Sequence, residues 1–155
     1  MVQAYNFLAA WQLFPEKGIY EHGERPKSGI YKIESPESRK ELIIYHNWVT
    51  LENQALSSQY HVIADGQLNS FAPQELADQV QVNFIDSISF ETHFYKKGEV
   101  VLHIVHEIMP NGYLKIVQQG IKEDGTRYTN TEQYHKQLSV LPYSASVAGA
   151  VIKAN

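Results

Sequence analysis

Ser87-Ile88-Ser89-Phe90-Glu91-Thr92-His93-Phe94-Tyr95-Lys96-Lys97-Gly98-Glu99-Val100-Val101-Leu102-His103-Ile104-Val105-His106-Glu107-Ile108-Met109 is the stretch that decides the fold. Aromatic and β-branched residues alternate with polar ones on both sides of Lys97-Gly98, as two strands joined by a tight turn require. The length of the turn fixes which side chains share a face, because a slip of one residue sends every side chain to the other side. A three-residue turn at Lys96-Lys97-Gly98, with Gly98 left-handed, sets Tyr95 opposite Glu99. Ile88, Phe90, Thr92, Phe94, Val100, Leu102, Ile104, His106 and Ile108 then form one face. Ser89, Glu91, His93, Tyr95, Glu99, Val101, His103, Val105 and Glu107 form the other. A two-residue turn mixes apolar and charged groups on both, so the longer turn is expected. The first face is read as core and places His106 inward. His93 and His103 fall on the solvated face and read as ordinary surface histidines.

The same rhythm runs outward from this hairpin. Asp65-Gly66, Asn111-Gly112 and Asp124-Gly125 repeat the turn signal, each supplying a residue that tolerates positive φ. Strands are expected near 11–21, 28–34, 41–50, 55–64, 67–72, 79–86, 88–95, 99–109, 113–121 and 126–137. Eight to ten strands in consecutive hairpins imply an all-β fold, an antiparallel up-and-down β-barrel with little helix. One short helical turn is expected within 70–78, started by Pro73. No composition break divides the chain, so 1–155 reads as one domain, with 138–155 an extension packing on the barrel.

Composition supports this and excludes several classes. The 155 residues include ten Tyr, six Phe, two Trp and seven His, but no Cys. Disulfides, thiolate metal sites and cysteine catalysis are therefore excluded. Asp plus Glu number 17 against 13 Lys plus Arg, which argues against nucleic acid as a partner. No window approaches the roughly 18 apolar residues of a membrane span. The apolar stretch at 7–11 is too short for a signal-peptide core, which makes the cytoplasm the expected compartment.

The last strand is polar on both faces. Arg127, Thr129, Thr131, Gln133 and His135 lie on one side, and Tyr128, Asn130, Glu132, Tyr134 and Lys136 on the other. If the strand belongs to a closed sheet, one of these faces looks inward; a dry core does not tolerate so many unpaired groups, so the interior is expected to hold water or a ligand. The alternative is an edge or rim strand exposed on both sides. Leu42, Ile44, His46 and Trp48, and likewise Leu56, Ser58, Tyr60 and Val62, mix aliphatic with polar-tipped side chains in a way that suits a pocket with a few placed polar groups.

The N-terminal run Phe7-Leu8-Ala9-Ala10-Trp11-Gln12-Leu13 resembles the opening strand of the calycin superfamily, which includes lipocalins and fatty-acid-binding proteins. Phe7, Trp11 and Leu13 match its Phe-x-Gly-x-Trp-x-Leu pattern, and Ala9 replaces the Gly. The resemblance implies a barrel closed at one end by Trp11 beneath a basic residue of the last strand, either Lys136 or Arg127. The fatty-acid-binding proteins' helical lid has no room in 21–27. Their Arg-x-Tyr pair is missing, since Arg127 and Tyr128 are adjacent, and the lipocalin Thr-Asp-Tyr motif is absent. A fatty-acid specificity is therefore not implied.

Catalytic motifs are few. There is no Gly-x-Ser-x-Gly, no phosphate loop and no His-x-His or His-Glu-x-x-His spacing. His103 and His106, three apart on a strand, point to opposite faces and make a poor metal pair. Binding of a small hydrophobic or amphipathic molecule inside the barrel, as a lipocalin-like carrier or sensor, is the expected function. Trp48, Tyr60, Phe90, His106, Gln118 and Tyr134 are the candidate ligand-binding residues. Two alternatives remain open. One is a small isomerase or lyase using His106 with Glu132 or a Tyr as an acid–base pair. The other is a haem-binding barrel with His106 as ligand. No other cofactor or metal is expected, and the protein is read as a monomer or homodimer.

Overall fold

Asx side chains and glycines shape the hairpin ends. In the computed structural model, which describes residues 4–36 and 40–137, Gly66, Gly98, Gly112 and Gly125 all adopt positive φ. Asp65, Asn111 and Asp124 each accept the backbone N–H two residues on, at 2.9–3.0 Å. These turns mimic backbone pairing before the ladder begins.

Eleven strands result among the described residues: β1 (Ala9–Leu13), β2 (Ile19–Tyr20), β3 (Ser28–Glu34), β4 (Glu41–Val49), β5 (Ala55–Ile63), β6 (Leu68–Ser70), β7 (Gln79–Asp86), β8 (Ser89–Lys96), β9 (Glu99–Ile108), β10 (Leu114–Ile121) and β11 (Arg127–Lys136). Ten of them follow the order β5-β4-β3-β1-β11-β10-β9-β8-β7-β6, and β2 pairs with β11 beside this path. All ladders are antiparallel. β1 joins β3 to β11, so the first and last long strands meet in mid-sheet. The result is a nearly closed, lipocalin-like up-and-down barrel. Its seam lies where β5 packs beside β7 without a ladder. Among the described residues no helix is long and apolar enough to cross a membrane.

The central hairpin keeps the expected faces but reaches them by another turn. Lys97 and Gly98 form a two-residue turn with both φ positive, and Lys96 pairs with Glu99. The register then shifts, from Tyr95 opposite Val100 to Phe94 opposite Leu102. The extra residue in β9 is a β-bulge, which restores the parity that a two-residue turn alone would invert. Phe90, Thr92, Phe94, Ile104 and His106 are buried as expected. Three positions differ from expectation. Ile88 sits in the β7–β8 turn and is 44% exposed, Val100 pairs with the outward Tyr95 and leaves the core face, and Val101, at the bulge, turns toward the core.

One other expectation is corrected. The first strand does not run from 11 to 21. Pro15, which has no N–H to give a ladder, starts a 3-10 turn over Pro15–Lys17, and the chain resumes as β2. Within 70–78 the expected single turn opens at Pro73, whose carbonyl accepts from the N–H groups of Leu76 and Ala77 at 3.2 and 3.4 Å. It is too short to go on as a helix, and Phe71 and Ala77 are buried in the segment. The expectation for 138–155 lies outside the described residues.

One end of the barrel is densely packed. Trp11, Phe7, Leu114, Ile33, Leu42 and Phe90 are almost wholly buried there, and Trp11 donates its indole N–H to the Phe7 carbonyl at 3.0 Å. Lys136, the register partner of Trp11, places its ammonium 5.5 Å from the indole ring. Of the two basic residues considered for this position, Lys136 therefore occupies it, and Arg127 lies at the opposite end of β11.

Candidate functional site: a buried polar cluster beneath two cavities

The even-numbered face of β11 looks inward, and its polar groups find partners. Glu132 accepts hydrogen bonds from Tyr134 at 2.7 Å and from Tyr20 at 2.6 Å, one at each carboxylate oxygen. Tyr20 comes from β2, and its ring folds back over Gly18, where any Cβ would collide with it. Asn130 accepts from the N–H groups of Glu21 and His22 and donates to the His22 carbonyl. The short β2 strap thus satisfies polar side chains that the sequence left without partners. Desolvation, followed by the Glu132 charge and hydrogen bond, holds the Tyr134 hydroxyl well above the usual tyrosine range. Tyr20 is raised for the same reasons, burial first.

Tyr31, from the inward face of β3, is the hub of the interior. Its ring lies 5.4 Å from His46, 5.6 Å from His106 and 5.6 Å from Tyr134. Its hydroxyl shares a 2.8 Å hydrogen bond with His106 Nε2. His106 is fully enclosed, with its ring stacked parallel on Phe90 at 4.3 Å. Burial lowers the His106 pKa to about 3, so the imidazole is neutral at ordinary pH. Its Nδ1 is buried without a partner. The buried Tyr60 hydroxyl lies beside Tyr31, near enough for a hydrogen bond between the two to bear on the acidity of both, although the geometry of that bond is poor. Burial pushes the Tyr60 pKa up to about 12.

Two cavities lie above this cluster. The first, of about 360 Å³, is lined by Tyr60 of β5, Phe71 and Ala77 of the β6–β7 loop, Phe94 of β8, Leu102 and Ile104 of β9, and Gln118 and Tyr128 of β10 and β11. Its walls are mainly apolar. Gln118 donates to the Tyr128 hydroxyl at 3.1 Å and so spends its amide on the wall. Tyr128 lies over Gly120, its cross-strand partner, where a Cβ would strike the ring. The second cavity, of about 390 Å³, is polar, with Tyr20, Arg25, His46, Trp48, Asn130 and Glu132 in its wall. His46 packs on Trp48 at 4.6 Å. Its Nε2 is buried without a partner, and desolvation lowers its pKa.

The six candidate residues therefore separate. Tyr60 and Gln118 border the apolar cavity, and Trp48 borders the polar one. Phe90, His106 and Tyr134 are enclosed in the packed layer below and line neither. Glu132 pairs with two tyrosines, so it does not meet His106, but His106 and Tyr31 do form a hydrogen-bonded histidine–tyrosine pair, enclosed below both cavities. A haem ligand needs an imidazole nitrogen facing open space. The enclosed His106 does not fit that requirement.

Sequence reasoning missed Tyr20, Tyr31 and Phe71. Tyr31 carries a signal, since it alternates with Gly29 and Ile33 on one parity of an obvious strand. Phe71 carries none, because it sits in a loop where no periodicity applies. No protein-family model and no curated protein matches the chain. Among solved structures it is similar to the one described as "The Siderocalin Ex-FABP functions through dual ligand specificities", at a TM-score of 0.43 and 11% identity, covering 85% of this chain and 71% of that chain.

Proposed function

We propose that the protein binds a small amphipathic molecule at the open end of the barrel, as a carrier or sensor. The observation that carries this reading is the mainly apolar cavity of about 360 Å³, with Tyr60 and Gln118 among its lining residues. Phe71, Phe94, Leu102 and Ile104 supply apolar contact, worth about 25 cal/mol per Å² removed from water. Tyr60 and Gln118 are the proposed contacts within this cavity. Trp48 lies in the wall of the separate polar cavity. Phe90, His106 and Tyr134 then act by holding the floor rigid.

The test is saturable binding of the fluorescent amphiphile 1-anilinonaphthalene-8-sulfonate to the folded protein, compared with Leu102→Trp. Leu102 borders the cavity and is only partly buried, so the larger ring fills free space. One-to-one binding that Leu102→Trp reduces at least tenfold is expected. Equal binding by the two proteins, or no saturable binding, would overturn the proposal. Native mass spectrometry of protein purified from its own host would then identify the retained molecule.

A further inference from the structure

The outer face of the central hairpin holds a second cluster of chemistry. His93 of β8 and His103 of β9 are direct cross-strand partners, and their rings stack at 4.3 Å. Glu91, two residues before His93, shares its face. Glu91 Oε1 lies 3.5 Å from His93 Nε2 and 3.2 Å from His103 Nε2. The three ligand-type atoms all fall within 4.8 Å of one another. Beyond His103 on the same row, Gln119 of β10 places Oε1 3.2 Å from His103 Nδ1. The side chains are only about a quarter exposed, at 25% for His93, 26% for His103 and 29% for Glu91.

We propose that Glu91, His93 and His103 form a binding site for a divalent transition-metal ion, with zinc as the best match. Two imidazoles and one carboxylate are a donor set that zinc accepts, with remaining positions open to solvent. Both imidazoles aim the same nitrogen, Nε2, at one carboxylate oxygen. Gln119 occupies the position from which an outer partner fixes a ligating histidine, since Nδ1–H donated to its carbonyl leaves the His103 Nε2 lone pair free toward Glu91. In the metal-free protein an Nε2–H of His103 can donate to Glu91 Oε1 at 3.2 Å, a contact that a metal between the two would replace with ligation. The hairpin holds the donors on rigid strands, so little ordering is needed on binding. The open positions adjoin a surface groove of about 280 Å³ that Arg127 also borders. A small anion is therefore the natural further ligand.

The three donors are on the opposite face of the sheet from the ligand cavity, although the groove beside them shares Val101, Leu102 and Tyr128 with it. The test is calorimetric titration of the full chain with zinc chloride in a buffer that does not chelate metal. Three other described histidines, His22, His61 and His135, are available for adventitious binding, so the variants decide. The expected result is one zinc per chain, lost in His103→Ala and in His93→Ala, weakened in Glu91→Gln, and weakened about 10- to 100-fold in Gln119→Leu. All four substitutions are on the solvated face, and circular dichroism confirms that each variant is folded. Cobalt(II) in place of zinc should give visible ligand-field bands that vanish in His103→Ala. No zinc binding by the parent, or equal binding by the parent and His103→Ala, would overturn the proposal.

Discussion

The buried His106 makes stability pH-dependent in a calculable way. In the folded protein its pKa is lowered from 6.5 to about 3 by desolvation. In the unfolded chain it takes a proton near its ordinary value. As pH falls through 6.5 the unfolded state binds a proton that the folded state refuses, so stability drops with falling pH. The contribution is fully present above pH 6.5 and is lost progressively down to about pH 3. Each pH unit in that window removes about 1.36 kcal/mol, so from pH 6.5 to pH 4.5 the loss is about 2.7 kcal/mol. His106→Gln retains an amide beside the Tyr31 hydroxyl but cannot titrate. Its absolute stability should be lower, because the stack on Phe90 is lost. Urea unfolding followed by circular dichroism at several pH values from 7 to 4.5 measures both proteins. The wild type should lose about 2.7 kcal/mol more than His106→Gln across that range. His46, also lowered by burial, contributes in the same direction in both and cancels in the difference. Parallel curves for the two proteins would refute the argument that His106 is held neutral by burial.

Other outcomes follow from single contacts. Phe90→Ala empties a wholly buried site between Phe7, Phe84 and His106 and should cost about 3–5 kcal/mol in urea unfolding. Gly18→Ala drives the Tyr20 ring off its perch and should break its bond to Glu132, a loss of about 1.5–3 kcal/mol that a thermal melt will register. Lys136→Met removes the ammonium over Trp11, and double-mutant cycles with Trp11→Phe should show a coupling of about 0.5–1 kcal/mol.

The hairpin at residues 87–109 shows how far sequence reasoning carries. Face assignment survived because it rested on segregation of apolar from charged side chains, which the bulge preserves. The turn itself was misread because a bulge adds a residue without leaving any mark in composition. One polar face of β11 does look into the barrel, but its groups are met by protein partners rather than left for water or a ligand. What answers most of them is the strap around Tyr20, and a two-residue strand behind a proline has no periodicity to betray it. Trp48, Tyr60 and Gln118 reach cavity walls because their strand parity was correct. Parity alone does not tell depth along the barrel, which is why Phe90, His106 and Tyr134 lie in the packed layer. His93 and His103 looked unremarkable for a related reason. Their convergence on Glu91 needs the cross-strand register, which no linear spacing encodes.

The seam between β5 and β7 has a kinetic consequence. Tyr60 stands on one lip of it and Phe71 on the loop that forms the other, both in the wall of the apolar cavity. Parting these lips breaks no main-chain ladder, since β5 and β7 share none. Exchange of the proposed ligand would then be limited by how fast a few aromatic rings swing aside. It need not wait for the sheet to fray. Amide protons in β8, β9 and β10 would stay protected during that exchange, so residence time and global stability would be separately tunable properties of the same barrel.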